Sequence, residues 1–186
     1  MKKTIKQKTV ITLASLGLAC SSVVVFANTT KATKSTGSTT QSSLTVEQAK
    51  EKALNESKSG QVIGYEQENK SRKTVFEITI LDGQNEKEYK IDGQTGDVLK
   101  SKTKDLTKDK DDKQLINASY KIDLAGAESQ VKSKYPKATI EKLQLDVENN
   151  TLVYDVSLTE GKKEIDLELD ANTGQIVEEE IETDKG

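Results

Sequence analysis

The 186-residue sequence carries an internal repeat, and this limits the fold more than any other feature. Asp92-Gly93-Gln94-Thr95-Gly96-Asp97-Val98-Leu99 matches Asp170-Ala171-Asn172-Thr173-Gly174-Gln175-Ile176-Val177, an offset of 78 residues. Carried backwards, the same offset sets Val75-Phe76-Glu77-Ile78 against Val153-Tyr154-Asp155-Val156. It also sets Gly83 against Gly161, Tyr89-Lys90-Ile91 against Leu167-Glu168-Leu169, and Ala49 against Ala127. No gap is needed. Each copy must therefore reach a stable fold within about 60 residues, near the lower size limit for a domain, or lean on the other copy.

Each half opens as a helix. Thr45 can cap the first, with Gln48 three places on as its capping-box partner. Val46, Ala49, Ala53 and Ser57 share one face. Asp123 is the second cap, with Leu124, Ala127, Val131 and Tyr135 at helical spacing, and Gly60 and Pro136 mark the two helix ends. Period-two apolar runs follow at 75–80 and 89–91, and again at 152–158 and 165–169. Earlier strands are expected at 61–66 and 139–145, and short closing strands at Val98-Leu99 and Ile176-Val177. The expected fold class is α+β: two small repeated units, each an N-terminal helix packed on a three- or four-stranded antiparallel sheet, with the other sheet face in water. In the matched motif, Asp92, Thr95 and Gly96, and again Asp170, Asn172, Thr173 and Gly174, read as a structural turn. Asp and Asn bond nearby backbone there, and Gly supplies positive φ.

The repeats account for 44–99 and 120–181. Ahead of them, Lys2, Lys3, Lys6 and Lys8 precede a charge-free stretch from Thr9 to Thr30, in which 13 of the 18 positions from Val10 to Ala27 are apolar. This is the layout of a secretory signal peptide, residues 1–27, with cleavage expected between Ala27 and Asn28. Two alternatives are lipidation at Cys20, which follows Gly17-Leu18-Ala19, and an uncleaved membrane anchor. Cleavage removes four lysines and no acid, taking the net charge from −3 to −7. Residues 28–43 hold ten Ser or Thr in 16 positions and read as a disordered tether. Between the repeats, ten of the 15 residues from Lys100 to Gln114 are Lys or Asp. Residues 100–119 therefore read as a solvated charged linker that would set the effective concentration of the two units, and 182–186 as a tail.

Composition removes whole classes of chemistry. The chain has no His, so His-based acid–base catalysis and His-ligated zinc are excluded. Its single cysteine, Cys20, lies in the signal segment, so no disulfide forms within the chain. The acidic balance argues against a nucleic-acid partner. Asp170-Ala171-Asn172-Thr173-Gly174 starts like an EF-hand loop, but Gln175 stands where that loop needs Gly and Ile181 where it needs Glu. Carboxylates are plentiful, yet with no Trp and few aromatics no deep cleft is evident. Catalytic, metal and cofactor sites are all expected to be absent.

The leading helix with alanines, the strand Val75-Phe76-Glu77-Ile78, and Tyr89-Lys90-Ile91-Asp92 running into Gln94-Thr95-Gly96-Asp97-Val98 resemble the PepSY domain. The second half, with Leu169-Asp170-Ala171-Asn172-Thr173-Gly174-Gln175-Ile176, resembles it more closely. The chain looks like a tandem PepSY protein of a Gram-positive-type bacterium. PepSY domains are similar to part of the propeptides of thermolysin-like metallopeptidases, and the resemblance carries over no catalytic residues. It implies an exported, non-catalytic binding module at the cell surface or outside the cell, whose partner is an exported peptidase regulated in trans. The alternative is a structural or ligand-sensing protein of the cell envelope with no peptidase partner. Membrane contact is expected only through the N-terminal segment, if that stays uncleaved or lipidated.

Overall fold

The computed structural model describes residues 43–70, 73–116 and 118–183. Helix α1 spans Val46–Ser57 and is followed by strands β1 (Gln61–Lys70), β2 (Lys73–Asp82), β3 (Asn85–Asp92) and β4 (Val98–Asp105). The second half repeats the order with α2 (Leu124–Lys134), β5 (Thr139–Glu148), β6 (Thr151–Glu160), β7 (Lys163–Asp170) and β8 (Ile176–Thr183). The fold is α+β.

Local chemistry explains most of these elements. The Thr45 hydroxyl accepts from the Gln48 amide, and the Gln48 side chain accepts from the Thr45 amide, closing the capping box of α1. In α2 the Asp123 carboxylate accepts from the Gly126 amide. The β5–β6 hairpin turns on Asn149 and Asn150, at φ 51° and 61°, the two positive angles that a two-residue hairpin requires.

The strands form one antiparallel sheet in the order β4-β3-β2-β1-β5-β6-β7-β8. The two separate three- or four-stranded sheets that were expected are thus four-stranded halves of one eight-stranded sheet, joined where β1 pairs with β5. The joint holds Gly64 opposite Gln144, Tyr65 opposite Leu143, and Glu66 opposite Lys142. Tyr65 and Leu143 are themselves related by the repeat offset, so a pseudo-twofold axis passes through this pair. Both helices cover the same sheet face, α1 on β1–β3 and α2 on β5 and β1. Across that face the ladder aligns Tyr89, Ile78, Tyr65, Leu143, Val156 and Leu167. The last five of these are buried, beneath Ala49, Ala53, Ala127 and Val131 of the helices. Alanine at the helix contacts lets the helices sit close to the sheet, so both repeats share one core. Over the axis, Lys50 and Glu128 pair at 3.5 Å, again residues 78 apart, and the Lys50 ammonium lies 4.2 Å from the Tyr65 ring centroid.

The segment expected as a charged linker, 100–119, is folded through most of its length. Strand β4 continues to Asp105, pairing Lys100, Lys102 and Lys104 with Lys90, Glu88 and Glu86. Two short 3₁₀ turns follow, Leu106–Lys108 and Asp112–Gln114. Leu106 and Leu115 are buried in the core, and the Gln114 side chain donates to Asn150 of the second unit. Two leucines nine positions apart are enough to pin a segment whose charges all reach solvent or a partner. The flexible spacing that would set effective concentration is therefore absent. The expected tail also begins too early: β8 runs through Thr183, with Glu182 opposite Glu164 and Thr183 opposite Lys163.

Candidate binding surface

The motif singled out in the sequence lies at the β3–β4 and β7–β8 connections, beside the helices. Asp92 accepts from the amides of Gln94 and Thr95, while the Gly96 amide donates to the Asp92 carbonyl and Gly96 has φ 75°. Asp170 accepts from the amides of Asn172 and Thr173 and from the Thr173 hydroxyl, and Gly174 has φ 71°. The backbone donors of Thr95 and Gln94 hold the Asp92 carboxyl below its ordinary range. Burial alone would raise Asp170, but the amides of Thr173 and Asn172 outweigh it and the net shift is downward. These carboxylates are thus spent on closing their own turns. Each turn also backs onto a helix: a Cβ at Gly96 would meet the Lys52 side chain, and one at Gly174 would meet Gln130, its repeat equivalent. Ala27, Asn28 and Cys20 lie outside the described residues.

The surface that faces outward was not singled out in the sequence. It is the sheet face opposite the helices, where the ladder aligns Lys90, Glu77, Glu66, Lys142, Ser157 and Asp166. A depression of about 240 Å³ crosses the joint there, lined by six carboxylates, among them Glu66, Glu86 and Asp146, and by two lysines, Lys104 and Lys142. Most of these charges are matched on the surface. Lys90 pairs with Glu77 at 2.6 Å, Lys104 with Asp112 at 2.9 Å, and Lys142 with Asp155 at 2.5 Å. Glu86 departs from this balance: burial pushes its carboxyl above the ordinary range, Lys104 opposes that, and Glu88, Asp112 and Asp146 reinforce it. Among the described residues, no group of three or more His, Cys, Asp or Glu side chains is placed to hold a metal ion. None of the described helices is long and apolar enough to cross a membrane.

An edge strand offers unpaired backbone donors and acceptors to an extended chain, and an open polar face offers side chains. This surface has both, because β4 and β8 bound the sheet. The repeat alignment does not mark the joint by itself: Lys50 and Glu128, 78 apart and opposite in charge, meet there, whereas Lys100 and Glu178, also 78 apart and opposite in charge, lie on the two outermost strands.

Fold and surface together define a tandem-repeat module that presents one continuous sheet. The family described as "Peptidase propeptide and YPEB domain", PepSY, matches residues 43–102 and 121–180, and the chain belongs to that family. No curated protein matches the sequence. Among solved structures, the chain is similar to a suspected lipoprotein from Clostridium difficile 630, at 21% identity and TM-score 0.44, covering 70% of this chain and 88% of that one. It is also similar to the C-terminal domain of Bacillus megaterium YpeB, at 17% identity and TM-score 0.36, covering 74% of this chain and 65% of that one.

Proposed function

We propose that the chain is an exported, non-catalytic binding module that regulates an extracellular peptidase in trans, using its continuous sheet as the contact surface. The observation that carries this reading is membership, twice over, in a family described by its peptidase propeptides. Export rests on the N-terminal sequence: four lysines, an apolar run and Ala27 at the expected cleavage point. The physical basis for inhibition is strand addition, in which β4 or β8 pairs with an extended segment bordering the peptidase cleft.

The test is a mixing assay. Residues 28–186 are added to each peptidase exported by the same cells, and hydrolysis of a peptide substrate is followed. The expected result is slowed hydrolysis by one peptidase, saturating with added protein. Unchanged rates for all of them would overturn the reading and leave an envelope structural or ligand-sensing role.

A further inference from the structure

The two edges of the sheet carry opposite charge at repeat-equivalent positions. On β4, Lys100, Lys102 and Lys104 project to the open face; on β8, exactly 78 residues on, stand Glu178, Glu180 and Glu182. Their ladder positions correspond too. Lys100, Lys102 and Lys104 lie opposite residues 90, 88 and 86, and Glu178, Glu180 and Glu182 opposite 168, 166 and 164. The two edges therefore have the same backbone phase.

From this complementarity we propose that the chain binds a second copy of itself head to tail, with β8 of one molecule pairing antiparallel to β4 of the next. Every strand of the sheet is antiparallel to its neighbours, so the first and the eighth run in opposite directions. A second copy laid beside the first in the same orientation brings its β4 antiparallel to β8 without inverting the helix layer. Equal phase then allows a full ladder with Lys102 opposite Glu180, Lys100 opposite Glu182, and Lys104 opposite Glu178. Opposite charges directly across a strand pair are favourable and like charges are not. Pairing β4 with β4 would oppose lysines, and pairing β8 with β8 would oppose glutamates, so both symmetric dimers are disfavoured.

Two further observations favour the same contact. Of the five large apolar side chains that are exposed among the described residues, four lie on the two edge strands: Val98, Leu99, Val177 and Ile181. Leu99 and Ile181 are more than half exposed, at 56% and 52%, and in this register they become diagonal neighbours on the helix-side face. The joint inside the molecule uses the same device, antiparallel edge pairing with Glu66 opposite Lys142. A head-to-tail contact uses two different surfaces, so it continues beyond two copies unless its rotation closes a ring.

Sedimentation velocity on residues 28–186, which contain the whole core, tests this at low and high salt. The expected result is a mass that grows with concentration past that of a dimer and shrinks as salt screens the edges. Replacing all three lysines with glutamate (K100E, K102E, K104E), or all three glutamates with lysine (E178K, E180K, E182K), should weaken association at least about tenfold. An equimolar mixture of the two variants should restore it, which a misfolded variant cannot do. A protein that stays monomeric at every concentration, stops at a dimer, or associates equally in both variants would overturn the proposal.

Discussion

Gly96 and Gly174 show how one residue type is fixed twice by the same geometry. Both sit at positive φ in a turn closed by an aspartate, and both face a helix side chain. The neighbours, Lys52 and Gln130, are flexible and can move aside, so the backbone angle sets the cost. Gly96→Ala and Gly174→Ala should each lower stability by about 1–2 kcal/mol, measured by urea unfolding. Gly64 is constrained differently. Its added Cβ would lie 2.9 Å from the Gln144 Cα across the joint, and backbone cannot step aside. Glu86 gives a pH prediction. Its folded-state pKa is raised, so its contribution is present at low pH and is lost as pH rises through that raised value. Glu86→Gln should therefore raise the melting temperature at pH 7, and the gain should shrink as pH falls into the carboxylate range. A gain that grew on acidification would contradict the burial argument. The turn residues were legible from Asp, Thr and Gly spacing alone. Glu86 was not, because its surroundings are set by strand pairing, which places it opposite Leu81 on one side and Lys104 on the other.

At the scale of elements, the helices and six of the strands could be read from caps and periodicity, because their signals are local. Strand β4 was legible only at its start. Beyond Leu99 it alternates lysine with Ser and Thr, and an edge strand with little to bury has no apolar period to reveal it. Its continuation into the 3₁₀ turns is anchored by Leu106, whose amide donates to the Gln84 carbonyl, and by Leu115. Leu106→Ala should cost about 2–5 kcal/mol, and Leu115→Ala an amount in the same range. Near-zero effects on urea unfolding would mean that the segment behaves as a solvated linker after all.

For the whole molecule, the joint decides how the repeats behave. Three paired positions, the Lys50–Glu128 bridge and α2 lying partly on β1 make the two units one core. The chain should therefore unfold in a single transition. Hydrogen exchange followed by mass spectrometry at intermediate urea should show peptides from both repeats opening together; two separate populations would show independent units. By itself, the sequence determined that there are two copies of one helix-and-strands unit, where their helices begin, and which face is apolar in the strands that alternate with period two. Those facts rest on spacing within a few residues, where side-chain period and backbone geometry are coupled directly. Only the tertiary structure decided that the copies share a sheet, that the charged segment between them is folded, and that the outer edges carry opposite charge on one common face. Those depend on which strand edges meet, and edge pairing between β1 and β5 is made by backbone hydrogen bonds that leave no periodic mark in the residues that make them.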